Sequence, residues 1–236
     1  MGSTRDDVTE GAEGVRLVRV WDWPTRLFHW ALALCVVGAV VSAKVGGNAM
    51  VWHFRLGLAV LALLVFRLVW GVIGGHWSRF ASFLYGPATL LDYLRGQAPA
   101  HAKLDIGHSP TGALAVFALL GLLAVQVATG LVADDEIANT GPLIRFVESA
   151  TSLAATSWHK SWGQWLLLGM VGLHVAAILV YRLVHRRDLV RPMLVGDKPL
   201  PPEVPASADH AGRWGLALVA LSLGVALALW VRAQGG

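Results

Sequence analysis

Four of the nine histidines in this 236-residue chain lie in or beside long apolar stretches: His29, His53, His159 and His174. A polar ring at such a position costs free energy unless it has a partner, so each of them is a functional candidate. Neutral imidazole is a common ligand of transition metals, including iron. For any one of the four alone, an interfacial or backbone-bonded histidine is an equally good explanation. The positions of all four together therefore have to distinguish a metal site from isolated histidines, and those positions depend on the elements that carry them.

The elements predicted to carry these histidines are membrane-spanning helices. Hydrophobic residues make up 56% of the chain and charged residues only 14%, a balance that is unusual for a soluble domain. Five apolar runs are each close to the length of about 20 residues with which a helix crosses a bilayer; they cover 27–43, 51–73, 111–132, 162–184 and 214–231. Because no strand-like alternation is present, a helical bundle is favoured over a membrane β-barrel. The predicted fold class is all-α integral membrane.

The basic residues predict the orientation of these helices. Thirteen Lys and Arg side chains fall on the side of the N-terminus and four on the other side, with Arg55 and Arg67 inside the second run. Since cytoplasmic loops carry the excess of Lys and Arg, we expect the N-terminus in the cytoplasm and the C-terminus outside. The net charge of +4 is thus evidence for topology and not for nucleic-acid binding. A cleaved signal peptide in place of the first helix fits less well, because acidic residues fill the leader.

This orientation sorts the four histidines by depth. His29 lies at the cytoplasmic end of the first run and His53 at the outer end of the second. His159 lies at the outer end of the fourth run, and His174 is about 22 Å deeper along a continuous helix. The sequence therefore predicts an outer pair, His53 with His159, and a cytoplasmic pair, His29 with His174. Each pair joins two helices, as a haem held edge-on between them requires, and bis-histidine ligation predicts one-electron transfer.

Other metal sites fit this pattern less well. A closed zinc site needs about four converging nitrogen or sulfur ligands, and four histidines at two depths do not converge. The chain has one cysteine, Cys35, so the two-cysteine attachment of a c-type haem is excluded. Any haem in this chain is expected to be held by ligation and packing alone.

Four further residues are candidates for contact with such a cofactor or with a quinone. Arg67 lies 14 residues beyond His53, near the cytoplasmic end, where it would pair with a haem propionate or a quinone oxygen, or else snorkel to the headgroups. His108, in a Gly-His-Ser-Pro turn, is either a proton carrier for quinone chemistry or a simple turn residue. Gly57 and Gly163 each follow an outer histidine by one helical turn, where a missing side chain would admit a porphyrin ring.

A series of motifs along the chain adds a family resemblance. The motifs are VWDWPTRLFHW at 20–30, HFRLG at 53–57, RLVWG at 67–71, GHSP at 107–110 and WHKSWG at 158–163. This series resembles the prokaryotic cytochrome b561 group, which includes the di-haem b subunit of membrane-bound nickel–iron hydrogenases. The resemblance implies a four-helix di-haem transmembrane bundle with two haem b groups, axial ligands at His29, His53, His159 and His174, and electron exchange with the quinone pool of a bacterial inner membrane.

The fifth apolar run departs from that four-helix pattern and is expected to be an additional C-terminal transmembrane helix. The predicted organisation is a cytoplasmic segment over 1–26, a di-haem core over 27–193, a linker over 194–212 and the C-terminal helix over 213–236.

The expected function is electron transfer between a periplasmic redox partner, either a c-type cytochrome or a hydrogenase small subunit, and the membrane quinone pool. A superoxide:quinone oxidoreductase is the first alternative, and a non-redox assembly subunit or transporter is the second. The loop between the third and fourth runs is net acidic, which favours a basic carrier and disfavours superoxide. Its charged residues are Asp134, Asp135, Glu136 and Glu148 against Arg145 and Lys160.

Overall fold

The computed structural model describes residues 14–98 and 104–235, and its long elements are all helices. The membrane-length helices are α1 (Trp23–Val45), α2 (Met50–Ile73), α4 (Pro110–Leu131), the pair α5 (Ser149–Lys160) and α6 (Trp162–Leu183), and α8 (Ala211–Ala233). Two short helices, α3 (Pro87–Leu94) and α7 (Val190–Val195), lie in the connections. Five spans are long and apolar enough to cross a membrane, which confirms the predicted helical class.

Helix α1 begins at a fully buried carboxylate, Asp22. It caps α1 by accepting a hydrogen bond from the backbone N–H of Thr25 at 2.8 Å. It also accepts from the indole Nε1 of Trp70 at 3.1 Å, the hydroxyl of Ser78 at 2.6 Å and the backbone N–H of Gly75 at 3.1 Å. One side chain thereby joins the start of α1 to the end of α2 and to the turn that follows it.

The fourth predicted span, 162–184, corresponds to α6, and the separate helix α5 precedes it. Ser161, with φ −112° and ψ −97°, ends α5 and begins α6. The expectation of one continuous helix carrying both His159 and His174 is therefore wrong, because His159 lies near the end of α5 and His174 lies in α6. The depth difference calculated for a continuous helix does not apply to this pair.

Helix α8 packs along α2 and also reaches α1. The contact is made by small residues one turn apart, Ala220, Gly224 and Ala228, all of which are buried. A Cβ atom at Gly224 would collide with the carbonyl oxygen of Ala62 in α2. The glycine is therefore required for this close approach, in the manner of small-residue contacts between membrane helices.

A two-stranded sheet forms where the sequence predicted a terminal segment and a linker. Strand β1 (Arg16–Arg19) pairs antiparallel with β2 (Asp197–Leu200), with Arg16 opposite Leu200. The Arg19 guanidinium pairs with Asp197 at 2.6 Å and with Asp209 at 2.5 Å. We call this region, formed by β1, β2 and residues 74–79, 104–109 and 201–210, the N-terminal cap. Residues 1–13 of the predicted cytoplasmic segment lie outside the described residues.

Candidate haem sites

The outer histidines face each other between helices. His53 lies in the first turn of α2 and His159 at the end of α5, and their ring centroids are 5.9 Å apart with the planes at 86°. His53 Nδ1 donates to the carbonyl oxygen of Ala39 at 2.9 Å, and His159 Nδ1 donates to that of Gln126 at 2.9 Å. A carbonyl oxygen only accepts, so each Nδ1 carries the proton. The Nε2 atom of each ring is left as the metal-binding nitrogen.

A second hydrogen bond fixes the backbone of His159. The side-chain amide of Gln126 donates to the carbonyl oxygen of His159 at 2.8 Å. Gln126 therefore contacts this histidine through both its main chain and its side chain. Gly163 makes room for this arrangement, since a Cβ atom there would collide with Gln126 and Trp158.

The outer pair opens onto a cleft of about 1050 Å³. Its interior is apolar and includes Val60, Leu123 and Leu167. Gly57 lines the cleft, and a Cβ atom added there would meet nothing within 4 Å, as expected for a position that admits a cofactor. Gly163 does not line the cleft but packs against protein side chains, so its predicted role toward the cofactor is wrong.

The inner histidines form a second pair. His29 in α1 and His174 in α6 have ring centroids 6.5 Å apart, with the planes at 56°. His29 Nδ1 is buried and, among the described residues, has no hydrogen-bond partner. The structure thus brings together the same two pairs that the sequence predicted, one from α2 with α5 and one from α1 with α6.

These spacings fit iron held between two imidazoles. A ring nitrogen lies about 2 Å from a bound transition metal, and roughly 1 Å further separates it from its ring centroid, so two axial rings stand about 6 Å apart. The observed separations of 5.9 and 6.5 Å match this value. Within the described residues no group of three or more His, Cys, Asp or Glu side chains converges as a closed zinc site would need. The residues present fit two bis-histidine haems.

Arg67 lies in α2 near the inner end of the bundle, and its side chain is buried. It is only 4% exposed, and its guanidinium carbon stands 4.4 Å from the ring centroid of Phe80 and 6.0 Å from that of Phe83. Its Nη1 atom has no hydrogen-bond partner among the described residues. Burial within the protein excludes the snorkelling alternative. An unpaired, buried guanidinium nitrogen is a strong donor available to an anionic or carbonyl oxygen.

His108 packs against the ring of Phe83, which Arg67 also approaches. Its imidazole centroid lies 4.4 Å from that of Phe83 and 4.7 Å from that of Trp21, and its Nδ1 is buried without a partner in the described chain. Burial, together with the nearby charges of Arg67 and Lys198, lowers the pKa of His108 to about 3. The ring is therefore neutral at physiological pH, and the near-neutral titration expected of a proton carrier is not what these surroundings give.

The sequence of the chain also matches a known family. A family profile described as prokaryotic cytochrome b561 matches residues 20–196, which is 177 of the 236 residues. The chain belongs to the prokaryotic cytochrome b561 family. Membership confirms the resemblance carried by the sequence motifs and implies haem b as the cofactor. With five apolar helices, this cytochrome b561 is a multi-pass membrane protein.

Relatives of this cytochrome b561 carry hydrogenase names. A "Probable Ni/Fe-hydrogenase B-type cytochrome subunit" of Bradyrhizobium diazoefficiens is 22% identical over 222 residues, covering 80% of this chain and 89% of the relative. The "Probable Ni/Fe-hydrogenase 1 B-type cytochrome subunit" of Escherichia coli is 23% identical, covering 75% and 88%. A protein of Azotobacter chroococcum with the same name as the first is 27% identical, covering 79% and 92%. No solved structure matches the chain significantly.

Two residues that support the sites of this cytochrome b561 were not predicted from its sequence. Gln126 is a single amide within the third apolar run, and a lone polar residue at membrane depth was a signal that could have found it. Asp22 stands two residues before Pro24, a pattern typical of a helix N-terminus. The sequence pattern predicts the helix cap at Asp22, but it does not predict the other hydrogen bonds that this carboxylate accepts.

Proposed function

We propose that this cytochrome b561 carries electrons across the membrane through two haem b groups, one bound by His53 and His159 and the other by His29 and His174. The observation that carries the proposal is the facing of two imidazole pairs at the spacing of axial ligands. When bound, the two haems supply reversible one-electron transfer. The four histidines would hold the two haems, two to each, and would leave neither iron a position for oxygen or substrate.

The partner at the outer face is proposed to be a hydrogenase. The relatives reported above bear hydrogenase names, and the aligned region covers 88 to 92% of their lengths. A periplasmic c-type cytochrome is the alternative partner, supported by the acidic residues of the loop between α4 and α5. In this proposal the N-terminal cap faces the cytoplasm and the end of α8 faces the periplasm of a bacterial inner membrane.

The other end of the electron path is proposed to be the quinone pool, reached through the inner pair. Arg67 offers its unpaired Nη1 there to an inner haem propionate or to a quinone oxygen. His108, which also contacts Phe83, is neutral and offers a buried Nδ1 to the same region. The guanidinium of Arg67 would donate to such an oxygen.

A superoxide:quinone oxidoreductase is the second candidate, and one observation favours it. The cleft at the outer pair is lined by four cations, Lys44, Arg55, Lys160 and Arg232. Positive charge around a cleft raises the local concentration of an anionic substrate. The acidic residue that also lines the cleft, Asp135, accepts hydrogen bonds from its own loop, including one from the side chain of Asn139 at 2.6 Å.

Visible spectroscopy of the purified protein tests the main proposal. The dithionite-reduced protein is expected to contain about two b-type haems per chain by the pyridine haemochrome assay. His53→Ala should lose one of the two, since it removes an axial ligand. His210→Ala, which changes an exposed histidine at the start of α8, should keep both. A chain with no haem, or a His53→Ala variant that retains both haems, would contradict the proposal.

A further inference from the structure

The four cations at the outer cleft come from four different helices. Lys44 lies at the end of α1, Arg55 near the start of α2, Lys160 at the end of α5 and Arg232 near the end of α8. All four line the cleft that His53 and His159 face, and all four side chains are exposed at its mouth. We call them the rim cations.

The rim cations have no acidic partners within the part of the chain that the structure describes. Lys44 Nζ lies 5.7 Å from the ring centroid of Trp165, and the guanidinium carbon of Arg55 lies 5.1 Å from that of Trp52. Asp135 also lines the cleft, but its carboxylate accepts hydrogen bonds from its own loop, including one from the side chain of Asn139 at 2.6 Å. Four like charges around one cleft repel each other. An anionic ligand at this mouth would relieve that repulsion.

The form of the cleft indicates which anion it takes. Below the rim the walls are apolar, with Val36, Val60, Leu123 and Leu167 among them. A flat ligand with an apolar body and a carboxylate edge matches this division, since its body is buried and its carboxylates meet the cations. A carboxylate within an apolar bundle is costly unless it is paired with a cation. A haem has such an edge in its two propionates.

We propose that the rim cations bind the propionate carboxylates of the outer haem, so that its carboxylate edge faces the outer surface and its apolar edge faces the middle of the bundle. This inference rests on the proposed ligation by His53 and His159. It assigns Lys44, Arg55, Lys160 and Arg232 as residues that set the orientation and the reduction potential of that haem. A cation beside the propionates stabilises the reduced, more negative state of the site.

Redox titration of the purified protein tests the inference. Arg55→Gln should lower the potential of one haem, so that its ratio of reduced to oxidised form at fixed ambient potential falls about 3- to 10-fold, where tenfold corresponds to about 59 mV for one electron. The affected haem is identified as the one that His53→Ala removes. Arg55→Lys should restore most of the potential, because the charge is kept.

Arg145→Gln is the matched control. Arg145 lies at the same face and contacts Gln234, but it does not line the cleft. The same charge change there should leave both potentials unchanged. Arg55→Gln could instead release the outer haem altogether. If Arg145→Gln retains that haem, the inference is supported. The potential of the outer haem is then measured in Lys160→Gln.

Two results would overturn the inference. The first is an outer haem whose potential is the same in Arg55→Gln, Lys160→Gln and Arg145→Gln. The second is a change limited to the salt dependence of the reaction with an added c-type cytochrome, which would make the rim a docking surface. Both results leave the proposed function intact, whereas a wild-type chain without two haems removes the proposed function itself.

Discussion

At the residue scale, the outer pair is held by hydrogen bonds that its two imidazoles donate away from each other. His53 is bound to α1 through Ala39, and His159 is bound to α4 through Gln126. Such partners fix the ring orientation and the tautomer of a metal-binding histidine. Gln126 differs from Ala39 in that its side chain also holds the backbone of His159. This makes Gln126 a positioning residue for one axial ligand.

Replacing Gln126 therefore tests how much that second hydrogen bond contributes. Gln126→Leu should keep the fold and the inner haem but weaken retention of the outer haem by about 10- to 100-fold, the usual cost of losing a partner of a metal ligand. The measurement is the rate of haem transfer to excess apomyoglobin, in which one of two phases should accelerate. Gln164→Leu makes the same change in the same cleft and should leave both phases as in the wild type. Equal rates in the two variants would remove Gln126 from this role.

The histidine pairing was predictable because it follows from helix order and depth alone, which apolar runs and charge distribution determine. The burial of the Arg67 side chain was not predictable. Whether it reaches the headgroups or is enclosed depends on Phe80 and Phe83, which belong to the connection after α2 and have no helical spacing relative to Arg67. The low pKa of His108 was missed for the same reason, because Trp21 and Phe83 enclose it from two separate segments.

At the element scale, α2 and α8 pack closely through small residues. This contact requires a glycine at 224 because the carbonyl oxygen of Ala62 occupies the space of a side chain. The hydrophobic pattern predicted α8 as a helix but not its partner, since the small residues Ala220, Gly224 and Ala228 stand among many other small residues in the chain. Close packing of small faces is decided by both helices together.

A larger residue at this contact should separate the two helices. Gly224→Val is expected to lower the free energy of unfolding by about 1 to 3 kcal/mol, the cost of overpacking a tight contact. Thermal unfolding in detergent, followed by tryptophan fluorescence, measures the change. Gly215→Val places the same side chain on the same helix, where a Cβ atom meets nothing within 4 Å, and should have little effect. If the two variants unfold alike, the α2–α8 contact does not stabilise the bundle.

Two other elements could not be predicted from local sequence. Strands β1 and β2 are four residues each and are far apart in the chain, so neither has a recognisable pattern of its own. The break at Ser161 lies within a motif of polar and aromatic residues that contains no proline. The strand pairing arises from contacts between segments that are distant in the chain.

At the scale of the whole molecule, the two histidine pairs lie at opposite ends of one bundle, with an apolar layer between them. Val60, Leu64, Leu123 and Leu167 form that layer from α2, α4 and α6. Basic side chains are concentrated on the face of the N-terminal cap, among them Arg79, Arg187 and Arg191. This asymmetry predicts the direction in which the bundle is inserted.

Reporter fusions should show that direction. Alkaline phosphatase fused after the end of α8 is expected to be active, because the positive-inside rule puts that end in the periplasm. The same reporter fused after Arg187, at the opposite face, should be inactive. Green fluorescent protein at the two positions should give the reverse pattern. Active phosphatase after Arg187 would mean that the cap faces the periplasm.

The pairing of β1 with β2 also bears on biogenesis. Strand β2 leaves the ribosome about 180 residues after β1, which at 5–20 residues per second is on the order of 10 to 40 s later. During that interval α1 to α6 are synthesised and can enter the membrane, while the backbone groups of β1 still lack their partners in β2. The cap therefore closes only after α1 to α6 have been synthesised. Helix α8 emerges after β2, so the closing of the cap and the insertion of α8 are both late steps.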